Sequence, residues 1–201
     1  MSPYSAPSSK ATGDLISAAD WNTNTITNVD YLKGRMDEGE LWLTNPRPAY
    51  TSGPGTSYFE TTSDKVNINT VDFDAAAIEY ASWQLLLPQD YDSGTITFQV
   101  YYTNLACTDD DVIWTLQGVA FANSDSLDIA FGAAVDVTFA PASYTNYIMH
   151  ITGESTAVTI AGTPAPGNLC VLRLSRKASD GGDTLNVDAK LIGLRVIYGR
   201  Q

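Results

Sequence analysis

Apolar and polar residues alternate with a period of two through most of the chain after residue 65, and lack that regularity before it. Thr95 to Tyr102 shows it most plainly. Ile96, Phe98, Val100 and Tyr102 share one face, and Thr95, Thr97, Gln99 and Tyr101 share the other. Alternation in β-branched and aromatic residues predicts a half-buried strand. Tyr80 to Leu87, just upstream, is apolar and aromatic, and Pro88 closes it. The intervening Gln89-Asp90-Tyr91-Asp92-Ser93-Gly94 supplies turn chemistry. The same grammar predicts strands at Lys65–Phe73, Val112–Phe121, Asp128–Phe131, Ala134–Phe139, Tyr147–Thr152, Ala157–Ala161, Leu169–Ser175 and Leu185–Tyr198, with Gly193 as a bulge. About eight to ten strands, frequent turns and no internal helix pattern predict a jelly-roll-like antiparallel β-sandwich over residues 65–201. No internal repeat suggests a propeller or solenoid.

Residues 1–64 read differently, as an extended arm, one short α-helix and a connector. Met1 to Thr12 is rich in Ser, Pro and Ala. Ser17 and Asp20 resemble a capping box, and Gly34 suits a C-cap, so a helix is expected from about Ala18 to Lys33. Trp21, Ile26, Val29 and Leu32 fall in one stripe, but the Asn and Thr residues among them are poor helix formers. Such a helix is marginal alone and is expected to lie against a partner. Leu41-Trp42-Leu43 adds a short apolar patch, and Asn45-Pro46-Arg47-Pro48 and Thr51-Ser52-Gly53-Pro54 are breakers. The docking residues expected from this region are Trp21, Ile26, Val29, Leu32 and Trp42.

Charge narrows the function classes. The formal net charge is −12, and no Lys or Arg occurs between Lys65 and Arg173. Nucleic-acid binding requires a basic footprint, so no nucleic-acid partner is expected. No run approaches the ~18 apolar residues of a membrane helix, and no membrane insertion is expected. Met1 to Gly13 lacks the basic-then-apolar order of a signal peptide, which fits a cytoplasmic site of synthesis. Cys107 and Cys170 form no metal motif and are expected to be free, buried thiols.

The stretch G-D-L-I-S-A-A-D-W-N-T-N-T-I-T-N-V-D-Y-L-K-G resembles the N-terminal docking segments of tailed-bacteriophage virion proteins. F-D-A-A-A-I-E-Y-A-S-W-Q-L-L-L-P-Q-D-Y-D-S-G-T-I-T-F-Q-V-Y-Y and L-R-L-S-R-K-A-S-D-G-G-D-T-L-N-V-D-A-K-L-I-G-L-R-V-I-Y are similar to strand pairs of phage sandwich domains. The resemblance implies a structural module displayed on a virion through its N-terminal segment, as a head decoration, fibre or tail component. It implies assembly in the host cytoplasm with other virion proteins and with itself, as a homotrimer. It supplies no functional residues.

Catalytic chemistry has little to work with. His150, the single histidine, lies in an alternating strand and reads as structural; no G-x-S-x-G or phosphate-binding glycine loop is present. The expectation is a non-enzyme without a cofactor. Hard-oxygen candidates for a structural Ca²⁺ are Asp109, Asp111, Asp180 and Asp183, with solvated turn acids the default reading. Trp83 and Trp114 read as core, whereas Tyr91 and Tyr144, in turns, are the candidates for ligand contact. A carbohydrate-binding or host-receptor-binding head, contacting a host surface glycan, is therefore the alternative to a purely structural role.

Overall fold

The computed structural model describes residues 17–21, 25–26, 28–29, 32, 36–105, 110–140 and 148–201. Two sheets face each other across an apolar core. The first contains β1 (Glu38–Leu43), β3 (Gly55–Glu60), β4 (Asn67–Phe73), β6 (Tyr91–Thr103), β9 (His150–Ile151) and β12 (Ala189–Arg200), in the order β3-β4-β12-β6-β9. β12 pairs with β4 through its first residues and with β1 further on. The changeover falls at the register shift between Leu191 and Gly193. Gly193 is required there, because a Cβ would sit 2.5 Å from the Trp42 ring. The expected bulge is thus the point where one strand changes partners.

The second sheet contains β2 (Arg47–Pro48), β5 (Tyr80–Leu86), β7 (Val112–Phe121), β8 (Val135–Phe139), β10 (Ile160–Gly162) and β11 (Leu169–Arg176), in the order β10-β7-β11-β5-β2, with β8 also on β7. All pairings are antiparallel except that of β10 with β7. The chain is a mainly β, jelly-roll-like sandwich; of the helix expected from Ala18 to Lys33, α1 (Ala18–Trp21) and residues 28, 29 and 32 are helical, and much of the rest lies outside the described residues.

Ile96, Phe98, Val100 and Tyr102 point into the core as their alternation requires. Trp114 is the centre of an aromatic cluster that bridges the sheets. Phe73 meets it edge-on at 5.1 Å and Tyr102 at 5.5 Å. Trp83 and Cys170 are also buried, Cys170 as a free thiol pushed up to about 12 by burial; Cys107 lies outside the described residues.

Three expectations change. Residues 38–60, read as connector, contribute β1, β2 and β3, so the sheets begin at residue 38. Asp128–Phe131 is not a strand. The segment ends at the edge of β7, where the Gly132 amide donates to the Gly118 carbonyl at 2.9 Å. Tyr91 is not a turn residue open to ligands. It is fully buried at the start of β6, its hydroxyl donating to the Gly94 carbonyl, with its pKa pushed up to about 12 first by desolvation and then by Asp92.

His150 is buried between the Tyr102 and Phe139 rings, at 5.1 and 5.4 Å. Desolvation holds its basicity below the usual imidazole range. A base depressed in the folded state contributes stability that is complete above its unfolded pKa of ~6.5 and declines as pH falls through the folded value. Wild-type Tm is therefore expected to drop between pH 7 and pH 5 more steeply than that of His150→Asn. Parallel profiles in a thermal melt series would remove this assignment.

Candidate functional site

The outer face of the second sheet is half covered. On the β7 side Phe131 packs on Arg173, and Gln117 donates to the Gly132 carbonyl. On the opposite side the chain from Thr44 to Tyr50 rises beside β5. Between them lies an open cleft of about 650 Å³ lined by Thr44, Asn45, Arg47, Tyr50, Ser82 and Gln84, with Pro48, Ala49, Trp83 and Val171 completing it. That volume lies within the ~300–1,000 Å³ of small-molecule sites.

Local sequence explains the rigid wall. Asn45 adopts φ 49°, a left-handed conformation that asparagine tolerates. Pro46 and Pro48 restrict the chain around Arg47, whose partner across β2–β5 is Ser82. The loop is clipped to β5 at both ends. The Ala49 amide donates to the Tyr80 carbonyl at 2.8 Å, and the Tyr80 amide donates to the Ser52 carbonyl at 2.8 Å. Gly53 closes the turn, since a Cβ there would meet the Ala49 carbonyl oxygen at 2.3 Å. The Trp83 indole N–H donates to the Thr44 carbonyl at 3.0 Å, fixing the start of the wall to the core. At its tip Tyr50 is wholly exposed, with a relative accessibility of 103%.

The floor comes from strand alternation. Tyr80, Ser82 and Gln84 of β5 face outward, opposite the buried Ala81 and Trp83. Val171 and Arg173 of β11 face outward beside them; Val171 lines the cleft, and Arg173, one rung beyond its lining, lies directly across from Ser82 and from Gln117 of β7. One rung therefore reads Arg47, Ser82, Arg173, Gln117 across four strands. Arg173 is held flat by rings on two sides, 4.0 Å from the Phe131 centroid and 4.9 Å from the Tyr80 centroid. It donates to Gln117 at 2.8 Å, and Gln117 donates to the Gly132 carbonyl at 3.0 Å.

The outer face of the first sheet offers a contrast. Trp42, expected as a docking residue, lies there half exposed, with Tyr101 edge-on at 4.7 Å. Its polar neighbours are already engaged. Arg195 pairs with Glu40 and donates to Gln99 at 2.7 Å, Gln99 donates to the Thr152 carbonyl at 3.0 Å, and Thr97 donates to Glu154 at 2.5 Å. Trp21, Ile26, Val29 and Leu32 are each about half exposed and lie apart from the cleft lining.

Among the described residues, the acids named for Ca²⁺ do not come together as a site. Asp183 is buried and consumed by Arg176. The guanidinium donates to its carboxylate at 2.7, 3.1 and 3.2 Å, and the Ile113 amide adds a bond at 3.0 Å. Asp180 accepts from the Gly182 amide at 3.0 Å within the turn. Asp111 stands at the start of β7, its amide donating to the Thr184 hydroxyl at 2.9 Å. Asp109 and Tyr144 lie outside the described residues. Among the described residues no group of three or more His, Cys, Asp or Glu side chains is placed to share a metal ion.

No family model matches the chain, and no curated protein matches it. Solved structures show a partial likeness to it. A CBM35 from Cellvibrio japonicus is 11% identical, with a TM-score of 0.44 over 81% of this chain and 99% of that one. The CBM36-1 domain of a multidomain xylanase from the hindgut metagenome of Trinervitermes trinervoides is 12% identical, with a TM-score of 0.40 over 79% of this chain and 96% of that one. TmCBM61, in complex with β-1,4-galactotriose, is 10% identical, with a TM-score of 0.36 over 80% and 88%. Likenesses of this degree carry neither a residue nor a role over to this chain.

Sequence reasoning missed the cleft. Its contributors are scattered over positions 44–50, 82–84 and 171, and only strand register brings them together. The usable signal was the tyrosine within N-P-R-P-A-Y, a turn sequence presenting a large aromatic.

Proposed function

We propose that this sandwich is a non-catalytic carbohydrate-binding module whose site is the cleft beside β2 and β5. One observation carries the reading: an open polar cleft built on rigid strands with a fully exposed tyrosine at its rim. A sugar ring has apolar C–H faces and equatorial hydroxyls. Tyr50 offers a flat apolar surface for the first, and Asn45, Arg47, Ser82 and Gln84 offer donors and acceptors for the second. The openness of the cleft suits a chain passing through rather than an enclosed monomer. The lining contains neither a histidine nor a pair of carboxylates, the groups that proton transfer to a glycosidic bond requires.

A second part of the proposal concerns attachment. Trp21, Ile26, Val29 and Leu32 each leave about half of their surface uncovered in the single chain. Apolar surface of this kind favours burial against a sister chain or another protein. The docking segment and the virion setting follow from the N-terminal resemblance; in that setting the sandwich is a glycan-binding head carried by the particle.

The test is a glycan array probed with wild type and Tyr50→Ala. Tyr50 touches little else, so the variant is expected to unfold within about 0.5 kcal/mol of wild type. Binding to the retained glycans is expected to fall at least tenfold, about 1.4 kcal/mol. Undiminished binding would move the site elsewhere, and a blank array with folded wild type would sink the reading.

A further inference from the structure

The distribution of positive charge says more about the cleft than its shape does. Among the described residues Lys65, Arg176, Lys177, Lys190, Arg195 and Arg200 each form an ion pair with an aspartate or glutamate. Arg47 and Arg173 are the described cations that do not. Both stand on the same rung of the same sheet face, separated by Ser82. Two inter-strand spacings of ~4.8 Å place their backbones about 10 Å apart. Carboxylates outnumber cations by 23 to 11 in this chain, so an arginine without one is the exception. No aspartate or glutamate lines the cleft.

The two arginines differ in a useful way. Arg47 is exposed on the wall, with no hydrogen bond or ion pair among the described residues. Arg173 is stacked between Phe131 and Tyr80 and steered by Gln117, and its Nε is buried without a hydrogen-bond partner among the described residues. One cation is preset by its rings and the other is free to close on a ligand. A guanidinium presents a planar fork that matches a carboxylate. A positive cleft on a strongly negative molecule also concentrates the local potential, which attracts anions there and repels them elsewhere.

We infer that the cleft selects saccharides bearing a carboxylate, which seats over Ser82 between Arg47 and Arg173. This rests on the cleft being the saccharide site. The class is that of polymers or termini containing uronic or nonulosonic acids, as opposed to neutral glycans.

The experiment titrates the full chain by calorimetry with oligogalacturonate, oligoglucuronate and sialyllactose, each beside its neutral methyl ester, and with a sulfated oligosaccharide. At least one acid is expected to bind tenfold or more tightly than its ester, and more weakly as salt rises. Arg47→Gln, at an exposed position, is expected to weaken the acid at least tenfold more than its ester, so that the two bind alike. Arg173→Lys, which keeps the charge but loses the fork, is expected to weaken the acid alone; its Tm reports whether it folds. Equal binding of acid and ester, unaffected by Arg47→Gln, would overturn the carboxylate preference and leave the saccharide cleft standing. Equal or tighter binding of the sulfated probe would overturn it in favour of a general anion site. Failure of wild type to bind any acid, ester or array glycan would remove both readings.

Discussion

Asp183→Ala is expected to lower the unfolding free energy by about 3–5 kcal/mol, the cost of leaving a buried charge without its partner. Arg176 is fully buried, and its guanidinium ties four parts of the chain together. It donates to Asp183, to the Val187 carbonyl at 2.8 Å, to the Leu185 carbonyl, and to the Phe73 and Asp74 carbonyls at 3.4 Å. Asp183 in turn accepts from the Ile113 amide at the start of β7. The node thereby joins β11, the chain leading into β12, the end of β4 and the beginning of β7. At ~2–4 °C per kcal/mol for a chain of this size, Tm should fall by roughly 6–20 °C. Added CaCl₂ should leave wild-type Tm in place, because the Asp183 carboxylate is already occupied. A loss under 1 kcal/mol by denaturant titration would mean that water compensates the guanidinium and that the node is not structural.

Removal of residues 1–64 is expected to abolish cooperative folding, whereas removal of residues 1–35 is expected to preserve it. The longer deletion strips β1, which matches β12 over six residue pairs, and β3, which matches β4 over six. It uncovers β12 along its second half and takes Leu41 and Leu43 off the core. It also leaves the Trp83 indole N–H without the Thr44 carbonyl, a loss of about 1–3 kcal/mol by itself. Exposed strand edges invite aggregation. Differential scanning calorimetry of the two truncated chains reads the outcome. A cooperative transition for residues 65–201 would show that β1 and β3 are dispensable and restore the boundary expected from periodicity.

Those two results mark where sequence periodicity succeeds and where it fails. β4, β5, β6, β11 and β12 were legible because burial of alternate residues writes a period of two, and β7, buried at nearly every position, was legible as an apolar run. Gly193 was legible as a bulge for the same reason: it interrupts that period. β3 was not, since Gly55–Glu60 is exposed at nearly every position and has no apolar face to alternate. β2 is two residues long and lies among prolines. Tyr91 was misplaced because Pro88 and Gly94 flank it with turn signals, although its side chain starts the inward face of β6. Asp183 was misread because its partner, seven residues upstream, is invisible to a search for oxygen-rich spacing. The Arg47–Ser82–Arg173 rung is a property of register, and register is not written in any one segment.

The central claim, saccharide recognition in the cleft beside β2 and β5, is tested most directly by an amide ¹⁵N–¹H titration of the full chain with the best-retained glycan. Shifts are expected to concentrate on Asn45, Arg47, Tyr50, Ser82, Gln84 and Arg173. Shifts centred instead on Trp42, Gln99 and Tyr101 of the opposite face, or no shifts at millimolar glycan, would contradict it.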